Sequence, residues 1–116
     1  MNDLQRTLGA QGAYYLATGA SPFISRRAFE AVTGPKREWW LVKTVGALAC
    51  VIGATLLQAS TREDPPAEAL TLAVGSIVAF VGVDVVYVAR GRIAPTYLID
   101  AGTELGFLGA LVRARR

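Results

Sequence analysis

A chain of 116 residues holds one domain at most, and 53% of this one is hydrophobic against 18% charged. The uncharged runs Thr44 to Thr61 and Ala69 to Val83 are apolar around the whole helical circumference, which leaves a helix no face suited to water. So short a chain cannot wrap two such helices with its remaining residues, so a small soluble domain is excluded and a partner of lipid bilayer is expected.

One cysteine (Cys50) and no histidine exclude a disulfide framework and leave no ligand set for zinc, haem or iron–sulfur. No metal and no cofactor are expected. The net charge of +3 comes largely from Arg113, Arg115 and Arg116. Basic residues flanking apolar spans meet lipid headgroups, and without an aromatic-interleaved basic surface no nucleic-acid partner is expected.

The start, Met1-Asn2-Asp3, lacks the positive charge of a secretory leader and is read as mature protein. Residues 4–20 form a first, weakly hydrophobic span that Pro22 ends. Gly9, Ala13 and Ala17 make a small-residue ridge for close helix packing. Gln11, Tyr15 and Thr18 recur as a polar stripe, which in lipid turns inward. A short interfacial helix follows over 25–33, capped by Ser25, with Ile24 and Phe29 at staple positions and Gly34-Pro35 as the stop. Its Arg26 and Arg27 suit phosphates, while Phe29 and Val32 suit the bilayer.

The clearest span is 39–59, close to the roughly 20 residues a bilayer core requires. Trp39 and Trp40 mark its interface. Lys43 shares a face with Ala47, Cys50 and Ala54, beside Gly46, so its ammonium is expected to point inward; snorkelling to the headgroups is the alternative. After the turn Thr61 to Pro66, a third span covers 67–89, with Asp84 near its far end and Tyr87 at the interface. The Arg90 to Pro95 turn leads into a fourth span, 96–112, which opens with Tyr97 as an anchor. The fold class is therefore all-α, a four-transmembrane-helix bundle with one interfacial helix, in a single domain over 1–116.

Four spans put both termini on one side and the loops 21–38 and 90–96 on the other. Lys43, Asp84 and Asp100 then lie in the membrane half facing those loops, with Glu104 about one turn deeper. An acid at the centre of a span costs about 2.5–3.5 kcal/mol on insertion scales, so convergence of these groups is the main functional signal. Asp100 and Glu104 share a helix face and cannot both ionise cheaply in a low dielectric. The expectation is a buried network of Lys43 with Asp84 and Asp100, and a protonated Glu104. Small faces lie opposite the acids: Gly102, Gly106 and Gly109 on the last span, Gly75, Ala79 and Gly82 on the third. They either pack inside the bundle or form a homodimer contact. Loop arginines favour a cytoplasmic location for loops 21–38 and 90–96, although the basic C-terminus argues the reverse.

Several stretches occur together: Phe29-Glu30-Ala31-Val32-Thr33-Gly34-Pro35-Lys36, Trp40-Leu41-Val42-Lys43-Thr44-Val45-Gly46, Asp84-Val85-Val86-Tyr87-Val88 and Arg90-Gly91-Arg92-Ile93, then Tyr97-Leu98-Ile99-Asp100. The combination resembles a group of short bacterial four-helix integral membrane proteins, from Phe29 onward. That resemblance implies an architecture and an inner-membrane location, but no activity. The layout is also loosely similar to DoxX-like proteins and sterol-isomerase-like four-span domains.

Three functions fit these residues. A binding or transport protein would use Lys43, Asp84, Asp100 and Glu104, with Gln11, Tyr15 and Thr18, for a small cation, a proton or an amphiphile. A membrane enzyme would use Glu104 and Asp100 as acid and base on a lipid-like substrate. A structural or accessory subunit would bind a larger partner through its small-residue faces, with the polar groups serving helix register alone.

Overall fold

The computed structural model describes residues 1–115; Arg116 and the Arg115 side chain, both part of the basic terminal cluster, lie outside the described residues. The described chain is all-helical. Helix α1 covers Asp3–Ile24, α2 Arg26–Thr33, α3 Trp39–Ala59, α4 Ala67–Ala89 and α5 Tyr97–Arg115. The boundaries of α3 and α4 are those expected. Helix α1 does not end before Pro22: it carries the proline in its last turn, where the buried ring packs against Gly46.

Local chemistry explains each end. Asn2 accepts from the Gln5 backbone N–H while the Gln5 side chain accepts from the Asn2 N–H, a reciprocal cap at the start of α1. The same two side chains tie α1 to the α3–α4 turn, Asn2 Nδ2 donating to the Glu63 carbonyl and Gln5 Nε2 to that of Ser60. Ser25 caps α2 by accepting from the Ala28 N–H. Ile24 stays exposed, so the expected staple does not form, and Phe29 instead stacks edge-on against Trp39. Gly34 ends α2 with φ +91°, a backbone angle that a side chain would strain.

Helix α1 is the centre of the arrangement, with α3 along one side and α5 along the other, and α4 packs against α5. The α1–α3 seam is a backbone contact. A Cβ on Gly12 would lie 2.7 Å from the Gly53 carbonyl oxygen, and one on Gly19 2.5 Å from that of Gly46. Both pairs repeat at heptad spacing, Gly12 with Gly19 and Gly46 with Gly53, in antiparallel register. This corrects two expectations. The packing face of α1 is not the Gly9-Ala13-Ala17 ridge, since Ala13 and Ala17 are exposed. The packing face of α3 is Gly46, Ala49, Gly53 and Leu56, which leaves Lys43, Ala47 and Ala54 outside. Main-chain approach needs two bare backbones at the same level, and only the heptad pairs supply that.

An apolar core of Leu8, Leu56, Ala59, Ala69, Ala73, Ile77 and Leu111 brings together both ends of the chain and the helix ends at the α3–α4 turn. At the opposite end the two loops meet, where the Thr96 hydroxyl donates to the Val32 carbonyl at 2.7 Å.

Two helices, α3 and α4, are long and apolar enough to cross a membrane. Only 22% and 28% of their apolar windows is buried within the protein. Their outer faces, with Leu48 and Val51 on α3 and Val74, Val78, Val83 and Val86 on α4, are left uncovered. The glycines of the small faces, Gly75 and Gly82 on α4 and Gly102, Gly106 and Gly109 on α5, also point outward, with no protein atom within 4 Å of a would-be Cβ. Packing of these faces inside the bundle is therefore not what the fold does.

Candidate functional site

Adjacent tyrosines on α1 meet two acids one turn apart on α5. The Tyr14 hydroxyl donates to Asp100 Oδ1 at 2.6 Å, and the Tyr15 hydroxyl donates to Glu104 Oε2 at 2.7 Å. Gln11, one turn before Tyr15, uses its side-chain amide twice: Nε2 donates to the Tyr15 hydroxyl at 3.1 Å and to the Ala73 carbonyl of α4 at 3.0 Å. Asp84 of α4 completes the group, lining the same cavity wall as Asp100. Three helices thus contribute side chains whose polar ends face inward, as the polar stripe on α1 led one to expect for Gln11 and Tyr15.

Burial is nearly complete at the centre, with Gln11 and Glu104 0% and Asp84 4% exposed. Each of these three side chains also keeps an acceptor, Gln11 Oε1, Asp84 Oδ2 and Glu104 Oε1, with no hydrogen-bond partner from the protein. Buried polar atoms are normally partnered, so three orphans in one cluster mark a place where something else donates.

The expected basic partner is elsewhere. Lys43 is exposed on the outer face of α3, its ammonium 5.7 Å from the centre of the Phe23 ring. The reason is the glycine seam, which turns Gly46 and Gly53 toward α1 and so carries Lys43 to the other side. Among the described residues the ion pairs are Arg6–Asp3 and Arg26–Glu30, both at the surface. No ion pair of the described residues reaches the acids. Thr18 also departs from the stripe: it is exposed, and its hydroxyl returns to the Tyr14 carbonyl at 2.9 Å.

Beside the acids lies a cavity of 710 Å³. Its walls are apolar for most of their extent, drawn from Pro22 and Gly19 of α1, Phe29 and Val32 of α2, Leu41 and Val45 of α3, and Phe80 of α4. Polar groups on the wall include Tyr14, Tyr15, Thr18 and Ser21 of α1, Asp84, Tyr97 and Asp100, with a few groups of the α2 end and the loop, Lys36 among them. The lining residues of α3 and α4 come from the ends remote from their connecting turn, so the cavity occupies the loop end of the molecule, with α2 as part of its wall. Its size is typical of small-molecule sites, which run from about 300 to 1,000 Å³.

The rim is held by charge. Glu30 accepts from the Lys36 backbone N–H at 2.6 Å and from Arg26 Nε at 3.3 Å. The Lys36 N–H, with Arg26 beside it, holds the Glu30 carboxyl below the usual carboxylate range. Lys36 donates its ammonium to the carbonyls of Thr33 and Gly34 and lies 5.4 Å from the Tyr97 ring centre, and burial lowers its basicity. Of the aromatic anchors, Trp40 and Tyr87 are exposed, and Trp39 sits under the Arg26 guanidinium at 4.8 Å. Tyr97 lines the cavity.

Sequence reasoning missed Tyr14 and the cavity. A signal for Tyr14 was present: Asp100 and Glu104 repeat at one helical turn, and two neighbouring tyrosines are the simplest pair of donors to serve them. Comparison with known proteins finds no matching family model, no matching curated protein and no matching solved structure.

Proposed function

We propose that the chain is a four-span integral membrane protein whose cavity binds an amphiphilic cation and carries it between the bilayer and the loop side. The observation that carries this reading is an apolar cavity of 710 Å³ whose wall includes Asp84 and Asp100, acids that meet no basic side chain of the described residues. Apolar walls take up hydrocarbon or aromatic parts of a ligand, and the carboxyls select positive charge.

The membrane part of the reading rests on which side of each helix is polar. On α1 the exposed residues beyond Thr7, among them Ala10, Ala13, Ala17 and Phe23, carry no charge. On α5 the exposed residues as far as Val112, among them Leu98, Ile99 and Leu105, carry no charge, Arg113 follows only in the last turn, and Glu104 is fully buried. Helices α1 and α5 are therefore polar toward the protein and apolar toward the outside, the arrangement that lipid as solvent selects. Their inward polar groups are also why hydropathy alone singles out α3 and α4. Arg26, Arg27, Lys36, Arg37, Arg90 and Arg92 favour the loop end for the cytoplasm, and the resemblance to bacterial proteins favours the inner membrane.

The test is binding of tetraphenylphosphonium, a permanent cation with aromatic arms, to detergent-purified protein followed by native mass spectrometry. One bound cation on the wild type, lost in the Asp84→Asn, Asp100→Asn double variant, is the expected result. Equal retention by both proteins would overturn the assignment of the acids as the charge-selecting wall.

A further inference from the structure

We propose that cation and proton compete for the cavity, so that each cation that enters displaces about one proton from the Asp84, Asp100 and Glu104 group. This rests on the reading of the cavity as a cation site.

The charge inventory around the acids points to this exchange. From α1 they face Tyr14 and Tyr15, which are neutral donors, and the Gln11 amide. From α5 itself comes Tyr97, and from the loop Lys36, whose ammonium is already engaged by two carbonyls. The cavity-lining residues of α2 and α3 carry no charge. Three carboxyls in this setting outnumber the one cation of the cavity wall, Lys36, and form no ion pair with any described residue. Burying one unpaired ion is costly and burying three together is more so. Without a ligand the inexpensive state is the one in which protons neutralise the group.

Hydrogen bonding agrees. A tyrosine has one hydroxyl proton to give, and Tyr14 and Tyr15 have each given theirs to an acid. The orphan oxygens of Asp84 and Glu104 are left without a donor from the protein. A carboxyl that carries a proton is itself a donor, which an ionised one is not.

An entering cation changes the balance. It supplies one positive charge beside Asp84 and Asp100, so one carboxyl can ionise at no net change in buried charge. The O–H bond breaks, the electron pair stays on the carboxylate oxygen, and the proton leaves to solvent. No bond of the ligand is altered. Glu104 does not touch the cavity, but its partner Tyr15 does. A change of charge at the cavity wall therefore reaches Glu104 through the Tyr15 hydroxyl.

The experiment is calorimetric titration of tetraphenylphosphonium into the full chain in detergent, repeated in two buffers of different ionisation enthalpy and over a pH series. This ligand has no proton of its own to lose. The expected result is release of about one proton per cation, with affinity rising about tenfold per pH unit while the group remains protonated. Asp84→Asn and Asp100→Asn, each tested singly so that one misfolded variant does not decide the matter, should weaken binding and flatten that slope. Glu104→Gln should retain binding with a shallower slope. Binding with equal heats in both buffers and no pH dependence would overturn the exchange and leave the cation site standing. No binding at any pH would overturn the cation site and the exchange together.

Discussion

Against α3, helix α1 presents Gly12 and Gly19 and brings main chain to main chain; against α4 and α5 it presents Gln11, Tyr14 and Tyr15 and makes side-chain hydrogen bonds. The first side has no room for a methyl group. The second runs into a cavity of 710 Å³ and keeps three polar atoms without partners. Close packing fixes a helix pair by shape, and shape is unforgiving because interiors are dense. A polar contact tolerates space and can be rearranged by a proton or a ligand. One helix therefore serves as anchor on one side and as site on the other, and the rigid seam holds Tyr14 and Tyr15 at the level of the acids.

The comparison is broken most severely at the seam. Gly19→Ala places a methyl carbon 2.5 Å from the Gly46 carbonyl oxygen and 2.9 Å from the Cys50 nitrogen, and neither main-chain atom can give way alone. The loss should reach the upper end of overpacking effects, about 3 kcal/mol, and should appear as a fall in the unfolding midpoint in detergent. An unchanged midpoint would mean that α1 and α3 do not touch through their backbones.

On the polar side the effect should be smaller and, unlike the seam, repairable. Tyr15→Phe takes the donor from Glu104 and leaves a fully buried carboxyl with nothing, at a cost of about 1–3 kcal/mol. Replacing both partners, Tyr15→Phe with Glu104→Leu, should recover most of that loss, because two apolar groups leave no orphan. A double-variant cycle on unfolding midpoints checks this. Additive losses would deny that the two side chains act together.

These two sides were not equally legible in the sequence. Periodicity and apolar length set the ends of α3 and α4, and capping chemistry at Ser25 and Gly34 set those of α2. Gln11, Tyr15, Asp84, Asp100 and Glu104 could be placed together because charge in an apolar stretch has few places to go. Lys43 could not. Its rotational position depends on which face of α3 meets α1, and that was decided by the register of Gly46 and Gly53 against Gly19 and Gly12, a pairing between distant stretches that no local pattern contains. The cavity was illegible for a similar reason: it is the space left where α3 and α4 stay apart, and absence of contact writes nothing into either helix.

Lys43 gives a sharper test of that difference. If its ammonium were bound to Asp84 or Asp100, Lys43→Ala would strand a buried charge and cost about 3–5 kcal/mol. Exposed on α3 and resting over Phe23, it should cost within about 0.5 kcal/mol, leaving the unfolding midpoint nearly where it was. A large fall would restore the lysine to the acid group and shift the charge balance of the whole site.

The smallest effect belongs to the glycines that resemble the seam by composition alone. Gly106 of α5 sits on an outward face with no protein atom within 4 Å of an added Cβ, whereas Gly19 on α1 has main chain at 2.5 Å. The same substitution should therefore act in opposite directions. Gly106→Ala meets nothing in one copy of the chain, and the better helix former should leave the protein as stable or more stable, by up to about 1 kcal/mol. The comparison of Gly106→Ala with Gly19→Ala in a single detergent separates contact within a chain from contact between chains. A loss of stability at Gly106, together with a drop in assembled mass by light scattering, would mean that a neighbouring helix covers this face and that α5 too has two sides.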